Sequence, residues 1–331
     1  IIRVAVPDKD AALTLPEIIS RSPIPVIADI HFDFNLAVSS IKSGVHGIRI
    51  NPGNIGGEKN IAKIAEAAGE AGIPIRIGAN SGSLPAKFAK TISRMKKGDK
   101  TEALAEALVE SAVEQCKILE KYAFTSIKVS LKSSDVPSTV IANRKFSQRR
   151  DYPLHLGVTE AGSMERGVIK SALGIGALLL DGIGDTIRVS ITGDPAKEIS
   201  AAIMILETAG LRKACPEIIS CPTCGRTEIN LEKLVMEVER QVEIIKKKRR
   251  MPPAKIAIMG CAVNGPGEAK DADIGISGAK NGRLIIFKKG KIIGAYEEKE
   301  GFNIFISELK KLTRIFHENH RVTETPSFLS K

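Results

Sequence analysis

A chain of 331 residues, 43% hydrophobic and 26% charged, is long enough for two packed domains, and no apolar run in it approaches the ~20 residues of a membrane-spanning helix. Lys and Arg outnumber Asp and Glu by 49 to 38, yet aromatics make up only 4% and Trp is absent, so platforms for stacking nucleic-acid bases are scarce. Five clustered Cys are too few for a secreted disulfide scaffold and point to a metal or redox site in a cytoplasm-like, reducing compartment.

Seven short β-rich runs follow in order: 2–6, 25–30, 47–50, 74–78, 126–130, 154–158 and 186–190. Helical patterns separate most of them, at 36–43, 60–71 and 102–122, the last placing Leu104, Leu108, Ala112, Cys116 and Leu119 on one face. Strands alternating with helices predict a parallel sheet covered by helices. Several strands set polar residues between apolar ones: Asp29, Arg49 with Asn51, Arg76, Lys128, His155, and Arg188 with Ser190. Polar groups at strand carboxyl ends before Gly-rich loops suit a (β/α)8 barrel, with an open doubly wound sheet as the alternative.

After Gly210 the rhythm changes. A Cys/Pro/Gly segment at 215–226 precedes a long helix at 231–250 with Leu231, Leu234, Val235, Val238, Val242 and Ile245 on one face. A strand at 255–259, a loop at 260–273, a hairpin at 283–288 and 291–295, and a closing helix at 304–316 complete an α+β domain. The expected boundaries are 1–214 for the barrel and 215–318 for the second domain, with a disordered tail at 319–331. The second part is the more basic, with 21 Lys and Arg against 15 Asp and Glu in 117 residues.

The sharpest chemical signal is Cys221-Pro222-Thr223-Cys224 together with Gly260-Cys261 and the loop through Asn264 to Glu268. Three thiolates suit an iron–sulfur cluster that leaves one iron for another ligand, for which Glu268 is the candidate. Structural zinc is the competing reading of Cys-x-x-Cys, although no second such pair and no His-x-x-x-His follows it. Cys116 is assigned to core packing, and Cys215 to a linker or buried position. In the first part, Arg49, Arg76, Lys128 and Arg188 at strand positions would converge on one point, which an anion such as a diphosphate would offset. Asp29, His31 and Glu160 also fall at strand ends, with His31 or Glu160 able to move protons and Asp29 alternatively serving only to orient an arginine.

These stretches, Val26 to Phe32, Gly47 to Asn54, Arg76 to Gly82, Pro153 to Gly162, Gly182 to Ser190, Cys221 to Arg226 and Gly260 to Glu268, resemble the 4-hydroxy-3-methylbut-2-enyl diphosphate synthase family of the non-mevalonate isoprenoid route. The resemblance implies a TIM-barrel domain followed by a smaller iron–sulfur domain. It implies reductive ring opening and dehydroxylation of 2-C-methyl-D-erythritol 2,4-cyclodiphosphate, with electrons from ferredoxin or flavodoxin. By motif, Cys221, Cys224 and Cys261 hold a 4Fe-4S cluster with Glu268 on the fourth iron. Arg3, Arg49, Asn51, Arg76, Asn80, Lys128, Arg188 and Ser190 bind substrate, Asn264 faces it from the cluster side, and Glu160, Asp29 and His31 surround the reacting carbons with Glu160 supplying the proton. A homodimer in which the cluster domain of one chain caps the barrel of the other is implied as well, with no nucleic-acid or membrane partner. The family's upstream strand and polar loop have no counterpart before Ile1, so the barrel is expected to lack its first strand. The competing readings are a zinc-ribbon nucleic-acid binder and a pterin-type TIM-barrel transferase with a structural metal domain.

Overall fold

The computed structural model describes residues 1–51, 54–84, 88, 92, 97–213, 216–248, 251–263, 265, 267 and 269–319. The chain divides into two compact units, Ile1–Arg212 and Lys213–Lys331. All seven expected strands of the first unit are present: β1 (Ile2–Ala5), β2 (Val26–Asp29), β3 (Ile48–Ile50), β4 (Ile75–Asn80), β5 (Ile127–Lys132), β6 (His155–Leu156) and β7 (Thr186–Ile187). β1 to β5 form one parallel sheet in chain order, β6 pairs with β7, and a parallel bridge from Val129 to Leu154 joins the two.

Between the strands run α1 (Lys9–Arg21), α2 (Phe34–Lys42), α3 (Glu58–Glu70), α4 (Lys97–Glu120), α5 (Val136–Arg149), α6 (Met164–Leu180) and α7 (Pro195–Thr208). Four of them start in the same way. Asp8, Asp33, Asp135 and Asp194 lie in extended backbone just ahead of α1, α2, α5 and α7, and each carboxylate accepts a hydrogen bond from an N–H of the first turn. An aspartate cap thus ends the strand-to-helix loop and starts the helix at a fixed place.

The two-residue period of a strand then sorts the side chains. Ile48 and Ile50, Ile75 and Ile77, Ile127, Val129 and Leu131 are buried in one core with apolar residues of the helices, including Ile61, Ile64, Leu108, Ala112 and Phe146. Cys116 lies in that core, where burial pushes its thiol up to about 12. The alternate residues share the other face. Asp29 stands opposite Arg49, Arg49 opposite Arg76, and Arg76 opposite Lys128, with Asn80 opposite Lys132 two rungs further on.

The second unit contains β8 (Glu217–Ser220), α8 (Leu231–Lys248), β9 (Lys255–Met259), β10 (Ile274–Ala279), β11 (Arg283–Lys288), β12 (Lys291–Tyr296) and α9 (Glu298–Asn319). Its sheet has the order β12-β11-β10-β9-β8, with β8, β9 and β10 parallel and β10, β11 and β12 antiparallel. Leu231, Val238, Val242 and Ile245 of α8 are buried against it, as the periodicity predicts.

Three expectations are corrected here. β10, the central strand, falls between the expected loop at 260–273 and the expected hairpin from 283, where the sequence reading placed no element. Its Gly275 lies under the Phe287 ring, where any side chain would collide, so a residue that argues against a strand is what lets this one pack. The Cys/Pro/Gly segment contains β8, a half-exposed edge strand. The closing helix begins six residues early, at Glu298, because two glutamates suit a first turn and Gly301 fits against Leu284. The expected tail begins at the end of α9, and positions 320–331 lie outside the described residues.

Phe146 is fully buried between the helices and the sheet of the first unit. Phe146→Ala is expected to lower stability by about 3–5 kcal/mol through the cavity it leaves. Chemical denaturation measures this directly, and a loss below about 1 kcal/mol would show that the core is not packed as described.

Candidate functional site

The polar face of the first sheet gathers positive charge, from Arg3 and Arg76 near the starts of β1 and β4 to Lys132 at the end of β5. Arg49 and Lys132 are each 7% exposed and Asp29 6%, while Arg76 is part-buried, Arg188 is open to solvent, and Arg3 is exposed with its side chain partly covered. Asp29 holds two of the arginines: its Oδ1 accepts from Arg49 Nη1 at 3.2 Å, and its Oδ2 lies 3.2 Å from Arg3 Nη1. His31 Nε2 is 3.7 Å from the same carboxylate.

Among the described residues, Arg76, Lys132 and Arg188 have no carboxylate of their own. Burial, then Arg3 and Arg49, lower the Arg76 guanidinium to about 9 against the pull of Asp29. Its buried Nε has no hydrogen-bond partner. Lys132 is held well below its usual value by burial and by Arg76, Arg188, Arg3 and Arg49. Burial, Asp29, Arg188 and Arg49 act on Arg3, with the net direction downward. Groups that suppress one another's charge in this way are matched to an anion that restores it.

His155 on β6 closes the group. Its Nδ1 is 2.9 Å from Thr186 Oγ1, its Nε2 is buried without a partner, and burial with Lys132 keeps the ring neutral. Two residues on, a side chain at Gly157 would meet the Arg188 carbonyl at 2.6 Å and Lys132 Nζ at 2.8 Å, so glycine there is what leaves room for the lysine.

Among the substrate-binding candidates, Arg3, Arg49, Arg76 and Arg188 are brought together. Asn51 is buried just beyond β3, Asn80 ends β4, and Ser190 is part-buried two residues after Arg188. Lys128 lies near the start of β5, below Lys132 on the same face, where burial and Arg76 lower its pKa while Asp185 opposes them. Lys132, which the sequence reading did not name, joins the same cation group, with Arg76, Arg188, Arg3 and Arg49 all acting on it. The available signal was its place as the last residue of β5. Glu160 is exposed in the loop after β6 with φ 52°, a left-handed conformation that is strained for glutamate and common at functional loops.

In the second unit the parallel pairing of β8 with β9, Ser220 opposite Ile258, puts Cys221 and Cys261 just past the ends of neighbouring strands. The Gly260 N–H donates to Cys221 Sγ at 3.1 Å. Cys224 is exposed, and hydrogen bonds from the Arg226 backbone and side chain and from Thr227 lower its thiol pKa. Cys261 is buried. Donated hydrogen bonds and a lowered thiol pKa are what thiolate ligands of a metal cluster require. Among the described residues no three such donors lie within reach of a single ion. Asn264 and Glu268 lie outside the described residues, as does Cys215.

Residues 1–203 match the family model described as the GcpE TIM-barrel domain, and residues 217–311 match that of the GcpE protein C-terminal domain. The chain belongs to the GcpE family. A GcpE relative from Caldanaerobacter subterraneus subsp. tengcongensis, named 4-hydroxy-3-methylbut-2-en-1-yl diphosphate synthase (flavodoxin), is 53% identical over 95% of this chain and 84% of its own length. Relatives of the same name from Thermodesulfovibrio yellowstonii and Desulfotalea psychrophila are 52% and 47% identical over 94% and 97% of this chain, and 85% of each relative. No helix among the described residues of this GcpE chain is long and apolar enough to cross a membrane.

Asp29 is the carboxylate between Arg3 and the buried Arg49, so Asp29→Asn is expected to cost about 3–5 kcal/mol by leaving a buried cation unpaired. Millimolar pyrophosphate should recover part of the loss in a thermal-shift assay. A loss that pyrophosphate leaves untouched would mean that the cations do not form an anion site.

Proposed function

We propose that this protein is a 4-hydroxy-3-methylbut-2-enyl diphosphate synthase: it opens the ring of 2-C-methyl-D-erythritol 2,4-cyclodiphosphate, taking up two electrons and protons and releasing one water to leave a linear allylic diphosphate. The observation that carries this reading is the match of both units to relatives of that name, at 53% and 52% identity over 95% and 94% of this chain. The cation group is what the geometry adds, since substrate and product share a diphosphate.

Arg49, Arg76, Lys132 and Arg188 bind the diphosphate oxygens, with Arg3 at the rim. Asp29 keeps Arg3 and Arg49 aimed at the anion and holds His31 beside it. Asn51, Asn80 and Ser190 add neutral donors around the same ligand, and Lys128, opposite Arg76, adds a further cation. Glu160, accessible on its strained loop, supplies the proton to the reacting carbon. Neutral His155 fixes the floor of the site without adding charge.

Cys221, Cys224 and Cys261 would hold a 4Fe-4S cluster, with Glu268 as the fourth ligand and Asn264 facing the substrate. The kind of donor fits, because the Gly260 N–H to Cys221 and the Arg226 and Thr227 bonds to Cys224 stabilise thiolates. When bound, such a cluster supplies the two electrons and Lewis acidity. A flavodoxin donor follows the relatives' name, and thiols of this kind call for a reducing, cytoplasmic compartment. Seven parallel strands in chain order support a (β/α)8 barrel closed by an eighth strand between β7 and β1. A homodimer, with one chain's cluster domain over its partner's barrel, belongs to the same reading and rests on the family resemblance.

Anaerobically purified protein is expected to be brown, with about four irons and four sulfides per chain, and to turn over the cyclodiphosphate when a reductant is present. A colourless protein with stoichiometric zinc and no turnover would sink the proposal. Glu160→Gln should bind the cyclodiphosphate as tightly as the wild type while turning over roughly 10²–10⁴-fold more slowly. Full activity in that variant would remove Glu160 from proton supply.

A further inference from the structure

The second unit carries a groove that begins at the thiols, with Cys261 in its lining, and extends past them over residues that ligate nothing in the proposed site. It encloses about 630 Å³ between the segment after Cys224, the loop after Cys261 and the turn joining β10 to β11. Among the described residues its charged lining is Arg226, Lys280 and Arg283 against Glu228, so cations prevail there. All three cations are exposed. Arg283 donates to the Ala295 carbonyl at 2.7 Å and lies 3.5 Å from Glu297, itself open to solvent. These contacts hold the guanidinium at the groove edge and leave it hydrated.

The same groove holds an apolar side chain that stands out beside the thiols. Val263, two residues after Cys261, is 66% exposed. Cys224, the exposed thiol, immediately precedes the groove-lining Gly225 and Arg226. An apolar contact point next to the redox ligands, ringed by cations, suits a transient protein partner that must bring its own redox group close and then leave. Electrostatic steering of an acidic partner onto such a surface raises the encounter rate without tightening the complex much.

We propose that the groove lined by Arg226, Lys280, Arg283 and Val263 is the docking surface for the electron donor, an acidic flavin-carrying protein that seats its flavin edge against the Cys224–Cys261 side of the unit. The inference rests on the reading of the preceding subsection, which requires an external supply of two electrons and draws flavodoxin from the relatives' name. It adds where on this chain that supply arrives. The basic end of α8, Lys246 to Lys248, is a different patch on a different element and is not part of the groove.

The test compares charge reversal inside and outside the groove. Holoenzyme carrying Lys280→Glu, or Lys280→Glu with Arg283→Glu, is titrated with a purified bacterial flavodoxin at low and high salt, and its turnover is measured with that flavodoxin and with reduced methyl viologen. Lys247→Glu, on α8, makes the same change of net charge elsewhere. The expected result is a flavodoxin Kd at least fivefold weaker for Lys280→Glu at low salt, converging with wild type at high salt, and less than twofold weaker for Lys247→Glu. Viologen-driven turnover should stay within twofold of wild type in all three. An unchanged flavodoxin Kd, an equal effect of Lys247→Glu, or a parallel fall in viologen-driven turnover would each overturn the docking assignment. Wild-type protein that turns over with neither reductant would instead refute the proposed reaction, a separate outcome.

Discussion

The arrangement of the first unit depends on one carboxylate among many cations. Asp29 is buried between Arg3 and Arg49, and both contacts are made at 3.2 Å. Beyond it, Arg76, Lys132 and Arg188 crowd the same face with no carboxylate of their own among the described residues. Such crowding is unfavourable in the free protein, because burial removes water from charges that also repel one another. It persists because strand register dictates it. Asp29, Arg49 and Arg76 occupy one row across β2, β3 and β4, so a shift that separated the charges would also turn the isoleucines between them away from the helices. The hydrophobic core therefore holds the cations in place, and a bound diphosphate would complete the charge balance.

The second unit solves a different problem with a similar device. Ends of parallel strands present the chemistry, with Cys221 beyond β8 and Cys261 beyond β9. Here the neighbours are hydrogen-bond donors: the Gly260 N–H for Cys221, and Arg226 and Thr227 for Cys224. One unit collects positive charge on a sheet face, and the other sets thiols among hydrogen-bond donors. Part of the chain's net +11 lies on that sheet face, part lines the groove beside the thiols, and part sits at the exposed end of α8.

The strands of the first unit were legible because each alternates polar with apolar residues, and a period of two turns one set of side chains to the core and the other to the opposite face. The three cysteines were legible by spacing. Lys132 was not singled out, since Lys128 and Lys132 share a strand and a face; Lys128 stands opposite Arg76, and only the folded sheet shows that Lys132, four residues on, also lies among Arg76, Arg188, Arg3 and Arg49. His155 could be placed on a strand but not given a role, because its neutral state follows from Lys132 and burial. β10 escaped because its glycines argue against a strand, whereas the ring of Phe287 on the next strand requires one of them. The groove beside Cys261 joins residues from 225 to 295, a proximity created by the sheet and absent from any local pattern.

The central claim is that the crowded cations of the first sheet hold their protons less tightly than free groups do until a diphosphate arrives. The cyclodiphosphate should raise the affinity of Arg76 and Lys132 for protons, so binding near pH 9 takes protons up and affinity falls as pH rises through that range. Calorimetric titration of the oxidised holoenzyme with the cyclodiphosphate, in two buffers of different ionisation enthalpy at pH 9, measures this number directly. The account predicts net uptake of a substantial fraction of a proton per ligand bound, and binding with no uptake, or with proton release, would contradict it.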